Sequence, residues 1–457
     1  MAKSLTDNMQ STPLVDLGLE SRVEDLLRIA DIDIGNLNDD NGSSLLVFPD
    51  SFEKDEEEIG NKSIIHLHLS DKTISTGNIM GFVGVNDTNL SIKSRFAKND
   101  KEDYFMHYML LKVFNINLFD LKHTVSSESI FDFLIYMFPF FLKRALRQGV
   151  YKSYIHHEYN DADVKGAVSI NQHIKLNIPF RGTIAYNTRE HSYDNYITQL
   201  IRHTIEYIKG TYAGQRILRC DTETMGCVTQ ICSLTPSYRL NQRSTIMAQN
   251  VRPMIHPYYM EYTALQRICM QILRHESIKY GLEKNKVYGI LFDGAWLWEE
   301  YLNTVLSRLK FNHAQNKRHL GGIGMFVSEC GGVKFENKGQ TMYPDFYTDD
   351  IVLDAKYKHL NGVVGRDDLY QVVSYMYCMN KRYGGYVYPN DSNNKMAVYK
   401  LSGIGSIYDP VDSGGLLYVI PFDVPQNTNS WDSFAISMTR CENQVLDGIR
   451  KLINPKS

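Results

Sequence analysis

The chain lacks several things that would place it at once. Only seven of its 457 residues are Cys, and the number is odd, so a disulfide scaffold is not expected. Cys220, Cys227 and Cys232 stand seven and five apart, without the close pair of a zinc site. No G-x-x-x-x-G-K-[ST] loop occurs. Gly321, Gly322 and Gly324, and likewise Gly403 and Gly405, lack the lysine and the strand–helix setting and read as turns. The chain is therefore not expected to bind a nucleoside triphosphate through a Walker motif of its own. No G-x-S-x-G element offers an acyl-transfer serine.

Charge of one sign is also scarce. A formal net charge of −3 excludes a uniformly basic nucleic-acid coat, though not a local basic groove. The most apolar run, Phe133 to Leu142, is about half the ~20 residues needed to span a bilayer, and Pro139 interrupts it. It reads as a buried helix. The start, MAKSLTDNMQ, has no apolar core behind its lysine, so no leader is expected and the expected location is the cytoplasm, with no membrane partner. There is no internal repeat.

What is present is ordinary globular material, 43% hydrophobic and 22% charged, long enough for about three domains at ~150 residues each. The first 60 residues are mixed and acidic. Val23, Leu26, Leu27 and Ala30 predict a short helix over Ser21 to Ala30, and Glu53 to Glu58 reads as a solvated loop. Ser63 to Leu69, Ile79 to Val85 and Leu90 to Ser94 alternate like strands between turn residues. From Tyr104 the period becomes helical, most clearly at Ile197, Leu200, Ile201, Thr204, Ile205 and Ile208. After about residue 320 strands return around one helix, and the last helix covers Ser437 to Ile453. His66 and His68 share a strand face, but with no third ligand nearby they read as ordinary strand residues, as do His156 and His157.

The chemistry lies in TMYPDFYTDDIVLDAKYKH. Along Ile351 to Lys358, side chains alternate, so Asp354, Lys356 and Lys358 share one face. Thr341 to Tyr347 also reads as a strand, and Thr348, Asp349 and Asp350 form a polar turn. A hairpin centred between Asp349 and Asp350 pairs Asp345 with Asp354, about 5 Å apart at Cβ. Two carboxylates that close are costly unless a cation joins them. Mg²⁺ suits such a pair, because it takes one or two carboxylates and completes its shell with water and phosphate oxygens. Lys356 beside it can orient water or stabilise charge developing on phosphorus. The parts suit metal-assisted phosphodiester hydrolysis. In the following helix Gln371 and Tyr375 share a face at i, i+4, with Arg366 and Asp367 at the start. A polar Gln among Leu369, Val372, Val373 and Met376 needs a partner if it is buried.

This ensemble resembles the PD-(D/E)xK nuclease superfamily in its RecB-like branch, whose pattern is a helix acid, P-D, D-x-K and Q-x-x-x-Y. The resemblance implies catalytic roles for Asp345, Asp354, Lys356, Gln371 and Tyr375, and metal ligation by Glu299, Asp345 and Asp354. Glu299 is preferred to Glu300 because Trp298 supplies the aromatic residue that precedes the family's helix acid.

More of the chain is similar to the McrC family, the nuclease subunits of McrBC-type modification-dependent restriction systems. Three stretches carry the likeness: GFVGVNDTNLSIKSRF, VKGAVSINQHI with TREHSYDNYITQLIRHTI, and the nuclease core through GGYVYP. The first departs from the family pattern, with Lys93, Ser94 and Arg95 where a proline is expected after Ile92. The resemblance implies an McrB-like AAA+ GTPase ring as partner, double-stranded and modified DNA as substrate, and stimulation of the ring's nucleotide hydrolysis by a loop of the N-terminal unit. The Asp87–Asn89 turn is one candidate loop.

Lys279, Lys284, Lys286, Arg308, Lys310, Lys317 and Arg318, with Phe311 and His313 interleaved, form an expected DNA track, since phosphate neutralisation needs such a patch. Lys310, Lys317, Arg318 and Lys358 are the residues expected to meet phosphates.

The expected architecture is a multi-domain α/β chain. Residues 1–100 form a β-rich unit for partner docking, 101–275 a mainly helical middle, and 276–457 a restriction-endonuclease-like PD-(D/E)xK domain. Two other readings stay open at this point. One is a non-catalytic adaptor that activates an AAA+ ring through a degenerate nuclease fold. The other is a nuclease of DNA repair or transposition.

Overall fold

A computed structural model describes residues 3–39, 44–49, 62–86, 88–97, 103–114, 129–211, 214–279, 287–314, 321–325, 328–330, 333–335, 341–360, 364–392, 394–401, 415–428 and 430–453. The acidic run 53–58 and Asp87 lie outside them. The chain is mixed α/β and divides into two compact units. One joins Met1–Ser127 to Asn285–Ser457, and the other is Glu128–Lys284.

In the first unit, a five-stranded sheet runs in the order Lys3–Thr6, Thr88–Lys93, Ile79–Val85, Val287–Asp293, Ser44–Phe48. The expected boundaries therefore do not match the compact units. Val287–Asp293, assigned from sequence to the C-terminal domain, is a strand of the N-terminal sheet, antiparallel to Ile79–Val85 and parallel to Ser44–Phe48. The pairing is tight. A Cβ on Gly81, which sits at φ +132°, would stand 2.1 Å from the Ile290 carbonyl oxygen, so this position is confined to glycine. Leu5, Ile79, Val83, Leu90, Ile92, Val287 and Leu291 share one buried core there. The helix expected over Ser21 to Ala30 is shorter. A single turn covers Val23–Leu26, Leu27 is exposed, and Asp31 takes a left-handed conformation and donates its N–H to the Ile65 carbonyl.

The same unit holds a six-stranded sheet in the order Asn312–His313, Phe346–Tyr347, Ile351–Ala355, Tyr383–Asn390, Leu416–Asp423, Ala397–Lys400. Ile351–Ala355, Tyr383–Asn390 and Leu416–Asp423 run parallel. The Arg366–Cys378 helix connects the first two, as parallel neighbours require a crossover. Its Val372, Tyr375 and Met376 pack in one core with Val352, Tyr386, Leu417 and Val419. Thr341 to Tyr347 is not one strand. It breaks at Pro344, which cannot donate to a ladder, into Thr341–Met342, paired with Ile323–Gly324, and Phe346–Tyr347.

The second unit is less uniformly helical than expected. Its helices Ser129–Arg147, Tyr196–Lys209, Thr222–Leu234 and Glu261–Lys279 pack together, and Leu134, Met137, Phe138 and Phe141 of the Pro139-containing helix are buried. Asn195 starts the second of these with a capping box, accepting from the Ile197 and Thr198 N–H groups while Thr198 Oγ1 accepts from Asn195 N–H. Beside them, however, two nine-residue strands, Ser153–Asp161 and Ile184–Ser192, form a long antiparallel pair. Ser153–Asp161 buries no side chain fully, and its half-buried positions Ser153, Ile155 and His157 form no apolar stripe from which a strand could be read.

Candidate nuclease site

The site is built on the hairpin. Phe346 faces Leu353 and Tyr347 faces Val352, the register of a hairpin centred between Asp349 and Asp350. Thr348 N–H closes the turn on the Ile351 carbonyl at 2.9 Å. One step further, Asp345 reaches across. Its Oδ2 accepts the Ala355 N–H at 2.7 Å, beside Asp354. Ile351–Ala355 lies between two partner strands, which buries Asp354, and Asp345 beside it is half-buried.

The electrostatics follow. Burial pushes the Asp345 carboxyl well above the usual range, and the charges of Asp354 and Glu299 push the same way. Burial also raises Asp354, against the pull of Lys356. The pair thus resists carrying two negative charges by itself. Lys356 Nζ lies 2.8 Å from Asp354 Oδ2, an ion pair without hydrogen-bond alignment. It lies 3.3 Å from Asp368 and donates to Gln371 Oε1 at 3.0 Å. Burial disfavours its ammonium, but the surrounding carboxylates outweigh burial and raise its pKa above that of a free lysine.

Gln371 has the partners its burial demands. Its Nε2 donates to Tyr375 OH at 3.0 Å, and Tyr375 OH donates to the Tyr343 carbonyl at 3.4 Å. Glu299 stands on the Gly294–Leu306 helix, which the sheet strand Val287–Asp293 feeds directly and Asp293 caps through the Ala295 and Trp296 N–H groups. Trp298, Leu302 and Val305 are buried, as the pattern requires. Glu299 rather than Glu300 is the acid whose charge reaches Asp345.

The sequence places His313 in the DNA track and gives Asp368 no role, yet both belong to this site. His313 donates from Nδ1 to the Asp345 carbonyl at 2.8 Å, since a carbonyl only accepts, and places Nε2 3.8 Å from Glu299. Its ring stacks on Phe346 at 5.0 Å. Nothing local marks it, because its partners lie far away along the chain. Asp368 pairs with both Lys356 and Lys358. Its signal was present as Asp368-x-x-Gln371, an i, i+3 pair on one helix face.

Most of the expected DNA track, namely Lys317, Arg318, Lys284, Lys286 and the Lys279 side chain, lies outside the described residues. Phe311 is buried, His313 belongs to the acid site, and Arg308 pairs with the buried Glu442 at 3.3 Å. Lys358 is engaged by Asp368, whereas Lys310 is exposed in a left-handed turn.

Behind the site, the strand is anchored to the N-terminal sheet. Tyr357 OH lies 2.7 Å from Ser94 Oγ and 3.3 Å from Met80 Sδ, and the Arg95 guanidinium sits over its ring. A Cβ on Gly294 would stand 2.7 Å from that ring, so glycine at the helix start makes the room.

Among the described residues, no helix is long and apolar enough to cross a membrane, and no group of three or more His, Cys, Asp and Glu forms a ready metal cage. No curated protein matches the sequence. A chain in the refined half-complex from the tetradecameric assembly of Thermococcus gammatolerans McrB AAA+ hexamers with bound McrC is similar over 96% of this chain and 100% of that one, at 13% identity and a TM-score of 0.48. A chain of the Thermococcus gammatolerans McrBC complex is similar over 69% of this chain and 90% of that one, at 13% identity and a TM-score of 0.35. The family model for the McrBC 5-methylcytosine restriction system component matches residues 74–389. That span is more than half of the sequence, and the chain belongs to this McrBC family.

Proposed function

We propose that the chain is the DNA-cleaving subunit of an McrBC-type restriction system, an Mg²⁺-dependent endonuclease with a PD-(D/E)xK domain. The observation that carries this reading is Lys356 Nζ at 2.8 Å from buried Asp354, with Asp345 reaching across the hairpin to the next residue's N–H. Glu299, Asp345 and Asp354 fit Mg²⁺, which needs only one or two carboxylates rather than a closed cage. Asp354 Oδ2, buried and without an aligned hydrogen bond, is an oxygen suited to it. Bound there, Mg²⁺ supplies charge neutralisation and activation of water.

The chain's own groups do the rest. Lys356 places a fixed positive charge where negative charge develops on the phosphate. Gln371 orients that ammonium, and Tyr375 orients Gln371. His313 holds the Asp345 backbone in place beside Glu299. The substrate is double-stranded DNA bearing a modified base, as the family's description as a 5-methylcytosine restriction component suggests. Lys310 is exposed and available to phosphates.

The partner is an McrB-like AAA+ GTPase ring whose hydrolysis the chain stimulates, and the setting is the cytoplasm in antiviral defence. The absence of a Walker motif from the sequence agrees with a motor supplied by another chain. The second unit leaves Ile170, Ile174, Ile178 and Phe180 each more than half exposed, an apolar surface suited to a protein partner. The remaining rival is an adaptor with a dead nuclease.

Asp354→Ala and Lys356→Ala decide between the two. Each is expected to abolish plasmid cleavage with Mg²⁺ and nucleotide in the reconstituted complex, while phosphate release by the ring stays near wild type. Loss of one charge-stabilising group typically costs on the order of 10²–10³ in rate. Cleavage at wild-type rates by both variants would move the chemistry elsewhere.

A further inference from the structure

Lys356 has two anionic partners, and only one of them is a proposed metal ligand. Its ammonium lies 2.8 Å from Asp354 and 3.3 Å from Asp368. Asp368 stands in the first turn of the Arg366–Cys378 helix, where the helix dipole favours an anion. Its own backbone carbonyl accepts from Tyr386 OH at 2.5 Å, which ties that turn to the sheet. Its second carboxylate oxygen takes Lys358.

A cation on Asp354 changes the balance around Lys356. It neutralises the nearer carboxylate and repels the ammonium as a like charge. Gln371 then remains as a neutral acceptor, and Asp368 as the anion that faces Lys356 from outside the ligand set. We propose that Asp368 is a positioning residue, which keeps Lys356 at the reaction centre once a divalent cation occupies the hairpin carboxylates. The proposal rests on the nuclease reading for its purpose, but its geometry concerns this chain's residues alone. It also explains why two lysines of the segment that follows the Ile351–Ala355 strand converge on a single acid. Asp368 is shared, and Lys358 is the partner it can release without loss to the centre.

The test is acetylation of the full-length protein with an amine-reactive ester, with and without Mg²⁺, read at Lys356 by mass spectrometry. In wild type, Lys356 is expected to stay protected in both conditions. In Asp368→Asn, labelling is expected to rise several-fold when Mg²⁺ is added, and Asp368→Glu should restore protection. Lys358→Ala frees Asp368 from its second partner, so Lys356 should remain at least as protected in Mg²⁺. This variant keeps the idea testable if the Asn variant fails to fold. Protection of Lys356 in Asp368→Asn with Mg²⁺, equal to wild type, overturns the proposal, and so does increased labelling in Lys358→Ala.

Where cleavage is measured, Asp368→Asn is expected to lower the turnover rate on the order of 10²-fold, as a displaced catalytic group does, without changing the half-saturating Mg²⁺ concentration. If the wild-type complex cuts no DNA while Asp368→Asn still shows Mg²⁺-dependent labelling of Lys356, the positioning role stands and the nuclease reading falls.

Discussion

Gln371 turns its carbonyl oxygen to Lys356 Nζ, 3.0 Å away, because Tyr375 takes its amide nitrogen at 3.0 Å. The i, i+4 spacing on one helix face thus becomes a relay that aims a lysine just past the end of the Ile351–Ala355 strand. Gln371→Ala is expected to cut single-turnover DNA cleavage by roughly 10²-fold, the cost of losing one preorganised group. Tyr375→Phe should produce a smaller fall, because the amide stays and only its orientation is freed. A Tyr375→Phe enzyme as fast as wild type would dissociate this tyrosine from the relay.

Removing residues 1–97 takes away four strands of the five-stranded sheet and leaves Val287–Asp293 unpaired. It also removes Met80 and Ser94, on which Tyr357 is anchored. Ile290, Leu291 and Phe292, all fully buried, would lose their cover, and each such side chain is worth about 1.5–3 kcal/mol of burial. The truncated chain is expected to lose cooperative thermal unfolding and near-ultraviolet dichroism. A sharp transition in that truncation would show the C-terminal region to be independent of the N-terminal sheet.

Ile174 and Phe180 are solvent-facing, so Ile174→Glu and Phe180→Glu should leave the unfolding temperature within about the small range usual for surface changes. Stimulation of the partner ring's GTP hydrolysis should drop several-fold in the double variant, measured as phosphate release. Full stimulation would release this surface from the docking role and return attention to the N-terminal loops.

Asp103 gives the stability curve a pH signature. Burial pushes its carboxyl up to about 6, against the Met106 and Ser94 N–H groups that hydrogen-bond to it. The folded chain therefore holds this proton more tightly than the unfolded one, whose value is near 3.8. The contribution is complete below about pH 4 and is lost as pH rises through about 6. At about 1.4 kcal/mol per unit, wild type should lose on the order of 3 kcal/mol relative to Asp103→Asn between those limits. Urea midpoints of both proteins across pH 4–7 measure it. A constant difference would mean that Asp103 does not titrate in this window.

Much of the site was legible because its signals are local. Asp345 and Asp354 are joined by a short polar turn, and alternation plus the turn's centre determines which residues face each other, as Phe346–Leu353 and Tyr347–Val352 do. Gln371 and Tyr375 follow from helical spacing alone. Asp368 obeyed the same spacing toward Gln371, yet its importance comes from two lysines on another element, which no period along the helix announces.

By itself, then, the sequence determined the short-range geometry: the hairpin and its register, the helix faces and the turn at Asp349–Asp350. Tertiary structure alone decided what lies far apart in the chain. Val287–Asp293 completes a sheet begun at Lys3 and pairs antiparallel with Ile79–Val85, about 200 residues before it in the chain, because its Ile290, Leu291 and Phe292 find cover there. His313 meets Asp345 and Glu299 because the edge strand Asn312–His313 pairs with Phe346–Tyr347. Periodicity records which face of an element is buried. It carries no record of which distant element buries it, and that choice is made by packing and backbone pairing over the whole compact unit.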